Sequence, residues 1–368
     1  MIIKSASLSN VRCYTSETLA FHPGFNLICG ENGQGKTNLL EAVYMLCRFK
    51  PMRGATASEV VRFGAETAVL SGVIEKGAPP SVSEIRAEFR RGGKRIEVNG
   101  KRPASLAKKA LDFEVVHFTP QEVELAKGSP SLRRRYFDSI ICGLAPSHFQ
   151  DILDFQRVVR QRNSALASGR ATARAVEPWD EQIAAIGGRI VEKRMRLTNR
   201  INGEIADIYG RISGGGEAAK AVYEPSCEVS GSGRVAYEDS IRKTLKSRLS
   251  RDMALKYTSA GPHRDRISLQ IGGRDCVLYA SQGEARSVVL AMKIAEIRLY
   301  QRFRKENPVF LLDDISSELD AKRRKFLFEM LMGYPGQIFV TSTSASDILY
   351  AGKRKTFQIS GGRVVGKG

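Results

Sequence analysis

The chain has 368 residues, 42% apolar and 26% charged, which fits a globular protein with ample core and excludes a disordered or fibrous chain. Lys and Arg number 58 against 39 Asp and Glu, a net charge of +19. That excess either solubilises the surface or marks a polyanionic partner, of which nucleic acid is the commonest. No apolar run approaches the ~20 residues of a membrane span, and the N-terminus lacks the apolar core of a signal peptide. The six cysteines (Cys13, Cys29, Cys47, Cys142, Cys227, Cys276) show neither metal-ligand nor redox spacing, so the expected setting is the cytoplasm, without membrane.

Residues 2–11 read as a first strand, followed by Arg12 and Tyr14 in a turn. Asn26 to Cys29 form an apolar strand, and an apolar helix runs through Leu39, Leu40, Val43, Met45 and Leu46. Between them Gly30-Glu31-Asn32-Gly33-Gln34-Gly35-Lys36-Thr37 matches G-x-x-x-x-G-K-[ST] at every specified position. The glycines let backbone N–H groups converge on an anion, and the helix N-terminus adds its positive dipole end. Lys36 supplies a charge for the β- and γ-phosphates, and the Thr37 hydroxyl is a Mg²⁺ ligand, so the expected cofactors are ATP and Mg²⁺.

Strands are expected at 67–75 and 85–90, with a hairpin through Gly92-Gly93 and a tight turn at Asn99-Gly100. This hairpin carries Arg90, Arg91, Lys94, Arg95, Lys101 and Arg102, either for duplex contact or as a solvated basic face. A short strand from Phe113 to Phe118 leads to Thr119-Pro120-Gln121. From about 131 to 215 the periodicity is helical. Pro178-Trp179-Asp180 predicts a helix start, while Asn202-Gly203 and Gly214-Gly215-Gly216 predict helix ends. A loop is expected near 224–235, and no heptad pattern is sustained.

The last third returns to strand-and-helix alternation. Ser281-Gln282-Gly283-Glu284 precedes a long apolar helix as a capping box, and it is also a candidate anion receptor. Pro308 to Asp314 reads as a buried strand ending in two acids, followed by Ser316-Ser317-Glu318-Leu319-Asp320 as an acidic turn or cap, and Gln337 to Thr343 reads as a final strand. Asp313 is placed to hold Mg²⁺ as a Walker B acid, and Asp314 to act as general base or water-orienting carboxylate. Lys36, Asp314 and Ser281 are thus the candidate catalytic groups. A second phosphate receptor on one chain suggests that two copies clamp ATP across a two-fold axis, each giving its Ser281 helix to the other's nucleotide. First and last thirds sharing one site imply an α/β head, a mixed sheet with helices, interrupted by a mostly helical lobe. The boundaries expected are 1–130 (with the phosphate loop), 131–302 (helical lobe with the Ser281 helix) and 303–368 (with the acid pair and the acidic turn).

Together the P-loop, Ser281-Gln282-Gly283-Glu284, Leu311-Leu312-Asp313-Asp314 and Ser317-Glu318-Leu319-Asp320 resemble an ABC-type ATPase head. Asn10-Val11-Arg12-Cys13-Tyr14 resembles the N-terminal motif of the RecF family of recombination mediators. So do Gly128-Ser129-Pro130 with Arg133-Arg134-Arg135 and Asp138, Gln161-Arg162-Asn163, Trp179-Asp180 and Gly261-Pro262-His263-Arg264-Asp265. The resemblance implies an ABC-type P-loop ATPase that dimerises on ATP, binds duplex DNA at single-strand gaps, and works with RecR-type and RecO-type partners to load RecA in repair, fork maintenance and SOS induction. It further implies that Arg12 contacts nucleotide, that Gln121 lies near the Q-loop and that Ser281 begins the signature; Asp314, one methylene shorter than Glu, is expected to support slow ATP hydrolysis. Arg266, Pro51-Met52-Arg53 and the histidine-free stretch at Thr343 depart from the family pattern. His263 is read as a hydrogen-bonded structural residue. The rival readings are a nucleotide-binding subunit of a membrane transporter and a small-molecule P-loop phosphotransferase.

Overall fold

In the computed structural model, which describes residues 1–52, 56–77, 79–169, 172–314 and 319–367, the chain divides into two units. The first comprises Met1–Glu122, Arg211–Gly214 and Lys293–Gly368; the second comprises Val123–Gly210 and Gly215–Met292.

The first unit contains two sheets. β1 (Ile2–Val11) and β2 (Tyr14–Ala20) join β4 (Thr67–Lys76), β5 (Ser81–Arg90) and β6 (Gly93–Val98) in an antiparallel sheet of order β2-β1-β4-β5-β6. In β4, Ala68, Leu70 and Ile74 alternate inward, while Thr67, Val69, Ser71, Val73 and Glu75 lie half-buried on the other face. The second sheet combines β3 (Phe25–Cys29), β7 (Val115–Phe118), β11 (Val309–Leu312), β12 (Ile338–Ser342), β13 (Arg354–Ser360) and β14 (Arg363–Lys367) in the order β14-β13-β3-β12-β11-β7. All its pairs are parallel except β13 with β14. Every residue of β3, β11 and β12 is buried, which is why these strands read as continuous apolar runs rather than alternations.

Helix α1 (Lys36–Arg48) buries ten of its thirteen residues and packs against β1 and β4 of one sheet and β7 and β12 of the other. Each of its large apolar side chains, such as Leu40, Val43 and Met45, contributes about 1.5–3 kcal/mol of burial. The two sheets are also joined by polar contacts. The fully buried Gln337 amide accepts from the Ile3 N–H at 2.8 Å and donates to the Ile3 and His22 carbonyls at 2.9 Å each.

The second unit holds α2 (Pro130–Leu144), α3 (Ser147–Ala167), α4 (Ala173–Ser213, whose last residues belong to the first unit) and α5 (Arg234–Ser247). It also holds an antiparallel sheet of β8 (Ala219–Glu224), β9 (Arg266–Ile271) and β10 (Arg274–Asp275), which the helical reading of this region missed. Helix α6 (Gln282–Arg304) contributes residues to Met292 to this unit and from Lys293 to the first. Two expectations within α4 are corrected. Pro178 does not start a helix but lies inside α4, near its N-terminal end. Asn202-Gly203 does not end one either. The Asn202 side chain donates to the Ala221 carbonyl at 2.9 Å and accepts from the Ala221 N–H at 2.8 Å, so its turn-forming amide is spent on the β8 edge and the helix continues. The helix does stop before the glycines, where Gly214, Gly215 and Gly216 all have positive φ.

Candidate nucleotide-binding site

β3, β7, β11 and β12 run parallel, so their carboxyl ends bring the P-loop, Thr119-Pro120-Gln121, Asp313-Asp314 and Thr341-Ser342 to one edge, where open α/β sheets bind ligands. β3 ends at Cys29, and the loop from Gly30 through Glu31, Asn32, Gly33, Gln34 and Gly35 delivers Lys36 and Thr37 to the first turn of α1. Two glycines are required by contact. A Cβ on Gly30 would lie 2.3 Å from the Ile359 carbonyl oxygen on β13, and one on Gly35, whose φ is +112°, would lie 2.6 Å from Cys13 Sγ. The loop is tied from outside as well. Tyr14 Oη donates to the Gly35 carbonyl at 3.0 Å, the Gly361 N–H to Gln34 Oε1 at 2.6 Å, and the Gly362 N–H to the Gln34 carbonyl at 3.0 Å.

Lys36 Nζ donates to the Gly30 and Glu31 carbonyls at 2.6 and 2.8 Å and to Asn32 Oδ1 at 3.4 Å. Burial lowers its pKa, which the nearby Asp314 and Asp313 carboxylates partly offset. A phosphate in the loop would add the anionic neighbour that favours the ammonium form. Thr37 Oγ1 donates to Asp313 Oδ1 at 2.9 Å, so two residues 276 positions apart meet within one hydrogen bond. Thr341 Oγ1 donates to the same oxygen at 2.8 Å and accepts from the Asp314 N–H at 2.8 Å. Asp314 adopts the left-handed region at φ +51°, which sharply turns the chain after the buried Asp313. Thr37 and Asp313 present hard oxygens to one point, a donor pair that fits Mg²⁺.

Thr341 was not singled out in the sequence as a partner of the Walker B acid, nor were Tyr14, Gly361 and Gly362 as props of the loop. The only signal was their position at strand ends, and strand order is not written locally.

Arg12, also at positive φ, donates through Nε to Glu41 Oε2 at 2.8 Å and through a terminal nitrogen to the Glu59 carbonyl at 2.7 Å. Glu41, 2% exposed on α1, therefore orients it. Gln121 is exposed in the 3₁₀ turn Pro120–Val123. Its neighbour Glu122 pairs with His117 Nε2 at 2.9 Å and Lys293 Nζ at 2.5 Å; burial alone would raise that carboxyl, yet the Lys293 ammonium and the contact with His117 hold it well below its ordinary range. Of the acidic turn, Ser316, Ser317 and Glu318 lie outside the described residues, as does Arg53. Leu319 is buried and Asp320 caps helix α7 (Ala321–Met332) by accepting from the Arg323 N–H at 2.9 Å.

Ser281 and Gly283 belong to the second unit. The Ser281 N–H donates to Glu284 Oε2 at 2.8 Å while Ser281 Oγ accepts from the Glu284 N–H at 3.2 Å, the reciprocal bonds of a capping box. The other motifs of this unit converge on two ionic networks. Arg162 binds Asp180 at 2.5 Å and Asp252 at 2.7 Å, and Asn163 Oδ1 accepts from both the N–H and hydroxyl of Thr258. Arg194 binds Asp138 at 2.9 and 2.8 Å and the Pro262 carbonyl at 2.6 Å, beside Asp265, which accepts from Tyr223 Oη and from the Ser226 N–H at 2.8 Å. His263 Nε2 lies 3.0 Å from the Thr258 carbonyl, and burial lowers its pKa to about 4, so it is neutral and structural. Arg266 pairs with Asp275 at 2.5 Å, which gives this departure from the family pattern a local partner.

A P-loop opening α1, a strand-end acid bonded to its threonine, and a two-sheet head with a mixed insertion define an ABC-type ATPase head fold. The RecF/RecN/SMC N terminal domain model matches residues 2–360. DNA replication and repair protein RecF of Syntrophotalea carbinolica is 35% identical over 99% of this chain and 99% of its own length, and that of Anaeromyxobacter sp. (strain K) is 36% identical over 93% and 92%. The chain belongs to the RecF family. Among solved structures, one described as recombination mediator protein RecF-ATP in the RecFOR pathway superposes with a TM-score of 0.89 at 31% identity, covering 100% of this chain and 97% of that one. An Smc head, at 19% identity and TM-score 0.59 over 98% of this chain and 94% of that one, shares the fold.

Proposed function

We propose that this chain is an ATP-dependent DNA-binding protein of recombinational repair and replication-fork maintenance. The observation that carries the reading is the hydrogen bond between Thr37 of the P-loop and Asp313 of β11, in a chain whose relatives are named for DNA replication and repair. The loop N–H groups and Lys36 bind the ATP phosphates, and Thr37 and Asp313 hold Mg²⁺, which neutralises phosphate charge when bound. Thr341 fixes the Asp313 carboxylate, and Glu41 aims Arg12 at the nucleotide. Asp314 orients the attacking water; as the shorter acid it supports slow turnover suited to a switch. Gln121 senses the bound nucleotide.

Two copies join on ATP, each placing Ser281 and Gly283 on the other's phosphates, for which the Ser281 hydroxyl exchanges its bond to Glu284. The closed dimer holds duplex DNA at gap junctions through its backbone, with steep salt dependence and little sequence preference. Hydrolysis reopens it. RecR-type and RecO-type proteins are the proposed partners, RecA loading and SOS induction the outcome, and the cytoplasm the site. Light scattering with and without ATP–Mg²⁺ and a gapped duplex tests this, alongside Lys36→Ala and Ser281→Arg. The wild type is expected to form a dimer and DNA complex only with ATP, and both variants to stay monomeric. A wild-type monomer that still binds ATP would refute the clamp.

A further inference from the structure

The first unit carries a groove of about 670 Å³ between the end of β6 and the short helix Leu106–Lys109, lined by Asn99, Lys101, Arg102, Pro103, Lys108 and Lys109 among others. The turn Asn99-Gly100 sets its course: both residues have positive φ, and Val98 bridges to Lys101, so the chain reverses and places Lys101 and Arg102 on the rim. Ser105 then caps the short helix by accepting from the Lys108 N–H at 3.3 Å, which fixes the opposite rim.

The charges in this region divide into two kinds. On the neighbouring β5–β6 hairpin, Arg90 pairs with Glu88 and Arg95 pairs with Glu97 at 2.7 Å. The strand register also sets Glu88 opposite Arg95 and Arg86 opposite Glu97, so that surface alternates in sign. In the groove, Lys109 is spent on Asp112 at 2.8 Å. Lys101, Arg102 and Lys108 are exposed and have no carboxylate partner among the described residues. Arg91, at the hairpin tip, is exposed but does not line the groove. A concave track with three uncompensated cations fits a chain of phosphates. Among the described residues no aromatic side chain lines it, so unstacked bases find no platform there and a duplex backbone fits better than a single strand.

We infer that this groove, through Lys101, Arg102 and Lys108, is a phosphate-backbone contact for duplex DNA. The inference rests on the DNA-binding reading above and assigns it a place; the hairpin arginines that the sequence also offered are left to their own glutamates.

The test is fluorescence anisotropy of a labelled duplex with ATP–Mg²⁺ across a salt series. It compares wild type, the triple variant Lys101→Ala/Arg102→Ala/Lys108→Ala, and the pair Arg90→Ala/Arg95→Ala. Three lost phosphate contacts reduce the slope of log K against log salt by about 2.7; with curves meeting near 1 M salt, affinity at 0.1 M falls on the order of 500-fold. The hairpin pair is expected to bind as wild type does. Melting temperature and affinity for a fluorescent ATP analogue check that the triple variant is folded. A triple variant with wild-type slope and affinity would overturn the groove while leaving DNA binding intact; a wild type that binds no duplex would overturn both. Vesicles containing phosphatidylserine form a further arm. If the triple variant lost vesicle binding but kept duplex binding, the groove would be a membrane contact and the inference wrong.

Discussion

Asp138→Asn is the substitution whose effect the structure specifies most closely. The carboxylate of Asp138 accepts from Arg194 Nε at 2.9 Å and a terminal nitrogen at 2.8 Å, and lies 3.1 Å from His148 Nε2. Burial alone would raise its pKa, but Arg194 and His148 outweigh that and bring it from 3.8 down to about 2. A depressed carboxyl contributes stability that is complete above its unfolded pKa and is lost as pH falls through the folded one. Here the window lies between about pH 4 and pH 2, and the shift corresponds to roughly 2.5 kcal/mol at neutral pH. The asparagine keeps the shape and removes the charge, leaving the 4%-exposed Arg194 side chain with Asp265, 3.6 Å away, as its remaining acid. Breaking a buried pair on one side costs about 3–5 kcal/mol, so a loss of about 3 kcal/mol is expected. Urea unfolding followed through Trp179, the only tryptophan and a residue of the same unit, measures it. The double variant Asp138→Asn/Arg194→Met should lose less than the sum of the singles, because the stranded guanidinium is gone. A loss below about 0.5 kcal/mol, or an unchanged stability slope between pH 4 and pH 2, would refute the assignment of this pair as a structural tie.

Substitutions at three further positions probe other parts of the molecule. Gly30→Ala drives a Cβ into the Ile359 carbonyl 2.3 Å away and should lower both melting temperature and ATP-analogue affinity; unchanged binding would show that β13 does not shape the loop. Asn202→Leu strands the Ala221 N–H and carbonyl and should cost about 1–3 kcal/mol in urea, whereas Asn202→Gln, reaching differently, tests whether geometry or polarity matters. His263, with its pKa lowered to about 4, resists protonation in the folded state. Stability is therefore full above about pH 6.5 and declines by up to about 1.4 kcal/mol per unit as pH falls toward 4, and His263→Gln should flatten that part of the profile.

The parts of the site that were legible in the sequence are those whose meaning is local. Gly30 to Thr37 specify a glycine-rich turn between a strand and a helix through backbone freedom and helix position alone, and four apolar residues before Asp313 specify a buried strand end. Ser281 and Glu284 are three apart and cap their helix as that spacing predicts. Where a residue had two uses, local reading chose the wrong one. Asn202 has the chemistry of a turn, but the β8 edge offers its amide a donor and an acceptor together, and the helix runs on.

What was not legible depends on strand order. β13 and β14 lie at the end of the chain and have no motif, yet β13 inserts beside β3, and Ile359, Gly361 and Gly362 become the wall and ties of a loop that begins more than 300 residues earlier. The same holds for Thr341. Its residue type says nothing of a carboxylate partner, but β12 lies between β3 and β11, so the end of β12 falls between the P-loop strand and the acid strand. From there its single hydroxyl donates to Asp313 and accepts from the Asp314 N–H, holding the first acid and the turn that presents the second. Sheet order therefore gives β12 a part in both roles assigned to the acid pair, and Thr341→Val should disturb Asp313 and Asp314 together where Thr37→Val reaches only Asp313.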